Sequence, residues 1–174
     1  MPMSLLKRIA VVGPESTGKS VLSHELAKSL NGSLVIEMAR SYLDQLKAPY
    51  REEDLLKIAQ LQIAEENRIA SKTNSGYLIC DTNLIVIRIW SLHKYGRCHP
   101  WIEEELHKRI YHLHLLCNID LPWADDPQRE HPHLRDYLFN KYHKTLIDLE
   151  IPFEIITGIE SKRLENALKS ILLL

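Results

Sequence analysis

The chain has 174 residues, with 22 Lys+Arg against 23 Asp+Glu and a formal net charge of −1. A hydrophobic content of 45% and a charged content of 26% are those of an ordinary globular chain, and they exclude collagen-like, disordered and disulfide-scaffold classes. The near-neutral balance also argues against nucleic acid as a partner, because binding it requires a basic surface that displaces counterions from phosphates.

Residues 8–12 (RIAVV) form a short, β-branched, unalternating run, the pattern of a strand buried on both faces of a parallel sheet. The loop that follows, Gly13 to Ser20, holds two of only 6 glycines in the chain. A helix is predicted through 21–30, with Leu22, Leu26 and Leu30 on one stripe and Asn31-Gly32 as its stop. Residues 34–36 read as a second strand and 37–46 as a helix ended before Pro49. The longest helical pattern, 51–72, is acidic in its first turn and apolar at Leu55, Ile58, Leu61 or Gln62, and Ile69. After a turn at Asn74-Ser75-Gly76, residues 77–80 make a third buried strand that delivers Asp81. Residues 84–95 are apolar enough for a packed helix closed by Gly96, and Pro100 opens the next helix. A fourth strand over 111–117 delivers Asp120; residues 121–133 are a polar, proline-bearing interruption. A helix over 132–149, a fifth strand over 153–156 and a final helix with Leu164, Leu168 and Leu172 on one stripe complete the chain. Alternating strands and helices joined by right-handed crossovers imply a parallel α/β sheet. No repeat or linker divides it, so 1–174 is expected to be one domain.

Cys80, Cys98 and Cys117 are widely spaced and without a CxxC pair, which reads as reduced thiols. The apolar stretch at the N-terminus is too short for a signal peptide, and no segment approaches the ~20 apolar residues of a membrane span. A cytoplasmic protein with no membrane partner is the expectation.

Gly13-Pro14-Glu15-Ser16-Thr17-Gly18-Lys19-Ser20 satisfies G-x-x-x-x-G-K-[ST] between a predicted strand and a predicted helix. Such a loop points successive backbone N–H groups at phosphate oxygens and adds the helix N-terminus to the same anion. Lys19 would bridge the β- and γ-phosphates of ATP and the Ser20 hydroxyl would ligate Mg²⁺. The fold class that follows is a P-loop NTPase three-layer α/β/α sandwich, nucleoside/nucleotide kinase-like, with a five-stranded parallel sheet in the order 2-3-1-4-5 and a lid at about 121–133. No NKxD-type base-reading tetrapeptide points to a G protein.

Ligands of such sheets sit beyond the carboxyl ends of the strands, where Glu37, Asp81 and Asp120 fall. Asp81 is the natural Walker-B-type acid for Mg²⁺, and Glu37 is the candidate base for an incoming hydroxyl; the two roles are exchangeable. Asp120 is the third acid. In the lid, Arg129 is the first candidate to reach the transferring phosphoryl group, with Arg135 behind it. Trp123 can stack on a ligand ring or plug a hinge against the core. His112/His114 and His131/His133 form two H-x-H pairs, but neither has a third ligand at a familiar spacing.

An ordered set of segments carries a resemblance: GPESTGKS after IAVV; Glu37, Arg40 and Tyr42 spaced E-x-x-R-x-Y; IAQLQ at 58–62; ICDTN at 79–83; D-x-PW-x-DD-x-x-R from Asp120 to Arg129; and Gly158 with Arg163. Together they resemble the ribosylnicotinamide kinase domain of the NadR-type family over about 7–168. The resemblance implies transfer of the γ-phosphate of ATP to the 5′-hydroxyl of nicotinamide riboside, giving nicotinamide mononucleotide. It implies that Gly13, Glu15, Ser16, Thr17, Gly18, Lys19 and Ser20 hold ATP and Mg²⁺, and that Arg163 lies near the adenine. It also implies that Glu37, Arg40, Tyr42 and Asp81 face the ribose and metal, that Trp123 contacts the nicotinamide, and that Arg129 belongs to the lid. The departures are Pro127, where the family has glycine, and the lack of any adenylyltransferase or helix-turn-helix segment before the first strand. From these, no dinucleotide synthesis or operator binding is expected of this chain. An ATP-binding regulatory module that transfers nothing, and a kinase for another nucleoside or nucleotide, remain open readings, as does a homo-oligomer.

Overall fold

A computed structural model describes residues 6–174. Five strands, β1 (Lys7–Val12), β2 (Ser33–Val35), β3 (Tyr77–Asp81), β4 (Leu113–Cys117) and β5 (Phe153–Ile156), form one parallel sheet in the order β2-β3-β1-β4-β5. This is the strand order expected from the sequence. Among the described residues seven helices accompany them: α1 (Lys19–Ser29), α2 (Met38–Gln45), α3 (Glu52–Ala70), α4 (Leu84–Tyr95), α5 (Pro100–Lys108), α6 (Arg135–Asp148) and α7 (Glu160–Leu172), the last following β5.

Side-chain alternation along the strands divides the core between the two faces. Ala10 and Val12 of β1 pack with α3, α4, α5 and α6, whereas Ile9 and Val11 pack with Leu22 and Leu26 of α1 and Ala167 and Ile171 of α7. The sheet is therefore the middle of three layers, and its central strands β1, β3 and β4 are largely apolar because both faces are covered, whereas the edge strand β5 exposes Glu154 and Ile155.

Several expected boundaries shift. β4 begins at Leu113, because the His112 N–H is already bound to the Arg8 carbonyl while its Nδ1 accepts the Arg8 N–H. α6 starts at Arg135, after a turn in which Leu134 N–H reaches the His131 carbonyl. In α3 the buried position is Gln62, at 1% exposure, and Leu61 faces outward at 40%. In α7 the buried line is Arg163, Ala167 and Ile171, one residue ahead of the expected leucine stripe, and Leu172 is 68% exposed. A charged residue at the head of that line concealed it from a hydrophobicity pattern.

Candidate active site

The phosphate loop links β1 to α1, and two glycines make its course possible. Gly13 has φ +139°, and a Cβ there would lie 3.0 Å from the Cys117 carbonyl oxygen; Gly18, the residue before α1, has φ +75° and would drive a Cβ to 2.7 Å from Leu121 Cδ1. Both conformations favour glycine. The Thr17 hydroxyl donates to the Pro14 carbonyl at 2.8 Å, and Lys19 Nζ donates to the same oxygen at 2.7 Å, holding the ammonium over the loop.

A second brace lies behind the loop. Arg163, 4% exposed, donates Nη2 to the Thr17 carbonyl (2.8 Å) and the Asn118 carbonyl (2.9 Å), and Nη1 to the Gly158 carbonyl (2.8 Å). Asp120 joins it, accepting from Gly158 N–H at 2.6 Å and from Asn118 Nδ2 at 2.6 Å, with Arg163 Nη1 at 3.5 Å. The structure thus turns Asp120 toward the β5–α7 loop and commits the Arg163 guanidinium to backbone carbonyls.

Glu37 and Asp81 remain at the loop. Asp81 ends β3 beside Val11, in the register that brings it next to β1's exit, and it is 3% exposed. Burial pushes its carboxyl above the ordinary range, against the pull of the Ser20 hydroxyl and the Lys19 ammonium. Its Oδ1 is buried with no hydrogen-bond partner. An uncompensated carboxylate oxygen beside a serine hydroxyl is the hard-oxygen donor set that Mg²⁺ accepts, with substrate phosphates completing its shell, so the residues present fit that ion. Among the described residues no group of three or more His, Cys, Asp or Glu could hold a metal alone. His114 is instead buried against Asn83, with Nε2 2.8 Å from Asn83 Nδ2.

Glu37 precedes α2 and lines the same pocket as Gly13 to Ser20. Burial pushes its carboxyl up; Lys19 pulls it down, Asp81 pushes it up and Arg40 pulls it down. Its place is set from α3, because Gln62 accepts the Met38 N–H at 2.8 Å and donates to the Ile36 carbonyl at 3.2 Å, clamping the backbone on both sides of Glu37.

The lid, between β4 and α6, has no regular secondary structure and lies on both rims of the pocket. At the phosphate loop, Ala124 N–H donates to Ser16 Oγ (2.8 Å), and the Glu15 carboxylate accepts from His131 N–H (3.0 Å) and Glu130 N–H (3.2 Å). At α2, Arg40 pairs with Asp126 (2.5 Å) and Gln128 Nε2 donates to Asp44 (2.5 Å). Pro127 occupies a turn in which Asp126 Oδ1 accepts Gln128 N–H and its carbonyl accepts Arg129 N–H, both at 3.0 Å. Proline at the second position of such a turn has the φ it needs. Arg129 lines the pocket with its guanidinium on the Ala124 carbonyl; Arg135 instead braces the Ser16 carbonyl (3.3 Å) and the Leu121 carbonyl (2.8 Å).

Of the residues expected at the substrate, Asp81, Trp123 and Tyr42 are outside the pocket lining, Asp81 being buried beside Ser20 and Lys19 of the phosphate loop. Trp123 is not among the pocket-lining residues: its Nε1 donates to Asp125 (2.9 Å) and Arg135 lies over its ring at 5.8 Å. Tyr42 also lies outside the lining, its hydroxyl bonded to Asp54 at 2.7 Å. The far wall is built from Val86, Ile89, Trp90 and His93 of α4 and from Leu138 and Tyr142 of α6. Sequence reasoning passed over these residues, because their helical spacing is the same as that of residues packed in the core.

A five-stranded parallel sheet in this order, with the phosphate loop on its central strand and an arginine-bearing lid above, has the fold of the P-loop nucleotide-binding proteins of nucleoside-kinase type. The AAA_28 family model, an AAA domain, matches residues 8–163, and the chain belongs to that family. It is 25% identical over 130 residues to the trifunctional NAD biosynthesis/regulator protein NadR of Salmonella typhimurium, covering 71% of this chain and 31% of that protein. The chain thus corresponds to under a third of that relative's length. Among solved structures, a NadR protein in complex with NR superimposes with a TM-score of 0.81 at 18% identity, over 95% of this chain and 50% of the other. The deoxyadenosine kinase of M. mycoides with bound dATP superimposes with a TM-score of 0.55 at 13% identity, over 95% of this chain and 99% of that one. Among the described residues no helix is long and apolar enough to cross a membrane.

Proposed function

We propose that the chain is an ATP-dependent small-molecule kinase that phosphorylates the 5′-hydroxyl of a nucleoside, nicotinamide riboside giving nicotinamide mononucleotide. The observation that carries this reading is that Glu37 shares one pocket with the whole phosphate loop, while the pocket continues past it to a largely apolar, aromatic wall. A module that only bound ATP would have no need of a second compartment beyond the γ-phosphate. The match to NadR and the solved NadR–NR complex support nicotinamide riboside as the acceptor.

In this reading the loop amides and Lys19 hold the ATP phosphates, and Arg129 descends with the lid onto the transferring group. Glu37 accepts the proton of the attacking hydroxyl at a carboxylate oxygen; its lifted pKa makes it a better base than a free carboxylate. Arg40, close enough to lower the pKa of that carboxylate, pairs with Asp126 of the lid. Mg²⁺ held by Asp81 and Ser20 would neutralise phosphate charge. The closed lid excludes water, which would otherwise compete with the acceptor for the phosphoryl group.

The test is ADP release measured against a nucleoside panel, with the phosphorylated product identified by mass. The expected result is turnover of nicotinamide riboside, abolished in Glu37→Gln with ATP affinity retained. Turnover of another nucleoside and none of nicotinamide riboside would overturn the substrate; ATP binding with no phosphorylated product from any acceptor would overturn the kinase.

A further inference from the structure

The acceptor end of the pocket has a wall that no motif marks. Val86, Ile89, Trp90 and His93 stand at i, i+3, i+4 and i+7 of α4 and therefore share one helix face on the pocket. That stripe starts just beyond Asp81 and, at ~1.5 Å per residue, runs about 10 Å away from the phosphate loop, a length comparable with a nucleoside laid lengthwise. Trp90 sits in its outer half. The indole is held there by the Tyr50 ring, 5.0 Å away at 54°, and Tyr50 in turn carries Lys94 Nζ 3.5 Å from its centroid.

Across the pocket stands Tyr142. It is only 5% exposed, and its hydroxyl makes no hydrogen bond to any described residue. With no partner among the described residues, the hydroxyl keeps its access to the pocket, where a ligand group can take the place of its water. Glu37 and Glu15 are near enough to act on this phenol, and together with its burial they keep it protonated. It is thus a neutral phenol lining the same pocket as the base candidate, Glu37.

We infer that Trp90 and Tyr142 set acceptor specificity: the Trp90 indole carries the acceptor's heterocycle, and the Tyr142 hydroxyl bonds a hydroxyl of its sugar. The inference rests on the kinase reading above and refines it. Indole is the strongest aromatic partner for a cation, so this platform favours a positively charged, N-glycosylated pyridinium ring over a neutral base. His93, next on the stripe, does not oppose it: burial, and then His131 and Lys141, push its pKa down, which leaves the imidazole neutral near pH 7.

Two measurements test this. The first is quenching of intrinsic tryptophan fluorescence by nicotinamide riboside, which needs no turnover. Quenching is expected in the wild type and in Trp123→Phe and is expected to be lost in Trp90→Phe, a variant checked for an unchanged melting temperature. Quenching that survives in Trp90→Phe and disappears in Trp123→Phe overturns the platform. The second is the KM of Tyr142→Phe for nicotinamide riboside and for its 2′-deoxy and 3′-deoxy analogues. One lost hydrogen bond raises the ribonucleoside KM about tenfold and leaves one deoxy analogue unaffected; an equal rise for all three, or none, overturns the tyrosine's role. Failures of the two proposals are distinguishable. If another nucleoside is the acceptor, Trp90→Phe and Tyr142→Phe still raise its KM; if nicotinamide riboside is phosphorylated with both variants unchanged, the kinase reading stands and this inference falls.

Discussion

Replacing Arg163 by methionine separates a structural brace from an adenine contact. The guanidinium is 4% exposed and donates to three carbonyls at 2.8, 2.9 and 2.8 Å, those of Thr17, Asn118 and Gly158. Methionine keeps most of the aliphatic volume and removes every donor, so the change isolates the polar contribution. Charge-assisted bonds of this kind contribute about 1.5–3 kcal/mol each, and they are not additive when one group makes them all. Removing one member of a buried charged cluster costs about 3–5 kcal/mol, the figure to use here, since Asp120 keeps the Gly158 N–H and Asn118 but loses its cation. For a chain of this size that is a fall in melting temperature of about 6–20 °C. Because Thr17 belongs to the phosphate loop, ATP affinity should fall as well. Thermal unfolding, together with binding of a fluorescent ATP analogue well below the lowered midpoint, measures both. Arg163→Lys should recover little, because a single ammonium cannot reach three divergent carbonyls. A midpoint within ~2 °C of the wild type, accompanied by loss of preference for ATP over GTP, would refute the brace and make Arg163 an adenine contact.

Arg40→Gln removes a cation that lowers the Glu37 pKa, so the acid limb of the kcat/KM profile, already lifted by burial, should move to still higher pH; a pH–rate series checks the direction, and a downward shift contradicts it. His114 has its pKa pushed from 6.5 to about 4 by burial. The unfolded chain therefore binds the extra proton first, and stability should decline as pH falls from about 6.5 to about 4, by on the order of 3 kcal/mol. Urea unfolding of His114→Asn at pH 7 and pH 4.5 should show a flatter dependence than the wild type. Pro127→Gly frees the turn that aims Arg129, and about 0.4–1 kcal/mol of lost preorganisation should lower kcat/KM by about two- to fivefold, read by steady-state kinetics, with a fall in melting temperature of about 1–4 °C.

How much of this was legible in the sequence depends on whether the signal was local. The phosphate loop was, because its geometry is set within eight consecutive residues: glycines where φ must be positive or the backbone must pass close to β4, a lysine and a serine at the helix start. The strands were legible as short apolar runs, β-branched in β1, and parallel order followed from their alternation with helices. Glu37 and Asp81 could be placed beside the loop because strand ends can be counted.

What the sequence could not assign was decided by packing between distant segments. Glu65 and Glu66 are adjacent on α3 and alike in one dimension. Only Glu66 is fully buried, between Arg8 at 2.6 Å, Tyr111 at 2.6 Å and Arg109 at 3.4 Å, residues 58, 45 and 43 positions away. Asp120 looked like a third catalytic acid until β5 and α7 brought Gly158 and Arg163 to it. A tryptophan in a polar loop, Trp123, stands out in a sequence and one in an apolar helix, Trp90, does not, yet it is Trp90 that lines the pocket. The sequence by itself determined the phosphate-loop end of the pocket, because that geometry is made by the backbone of one short loop. Only the tertiary structure decided the opposite wall, because a wall made by α2, α4, α6 and the lid exists only once β3, β1 and β4 lie side by side and carry those helices onto one face.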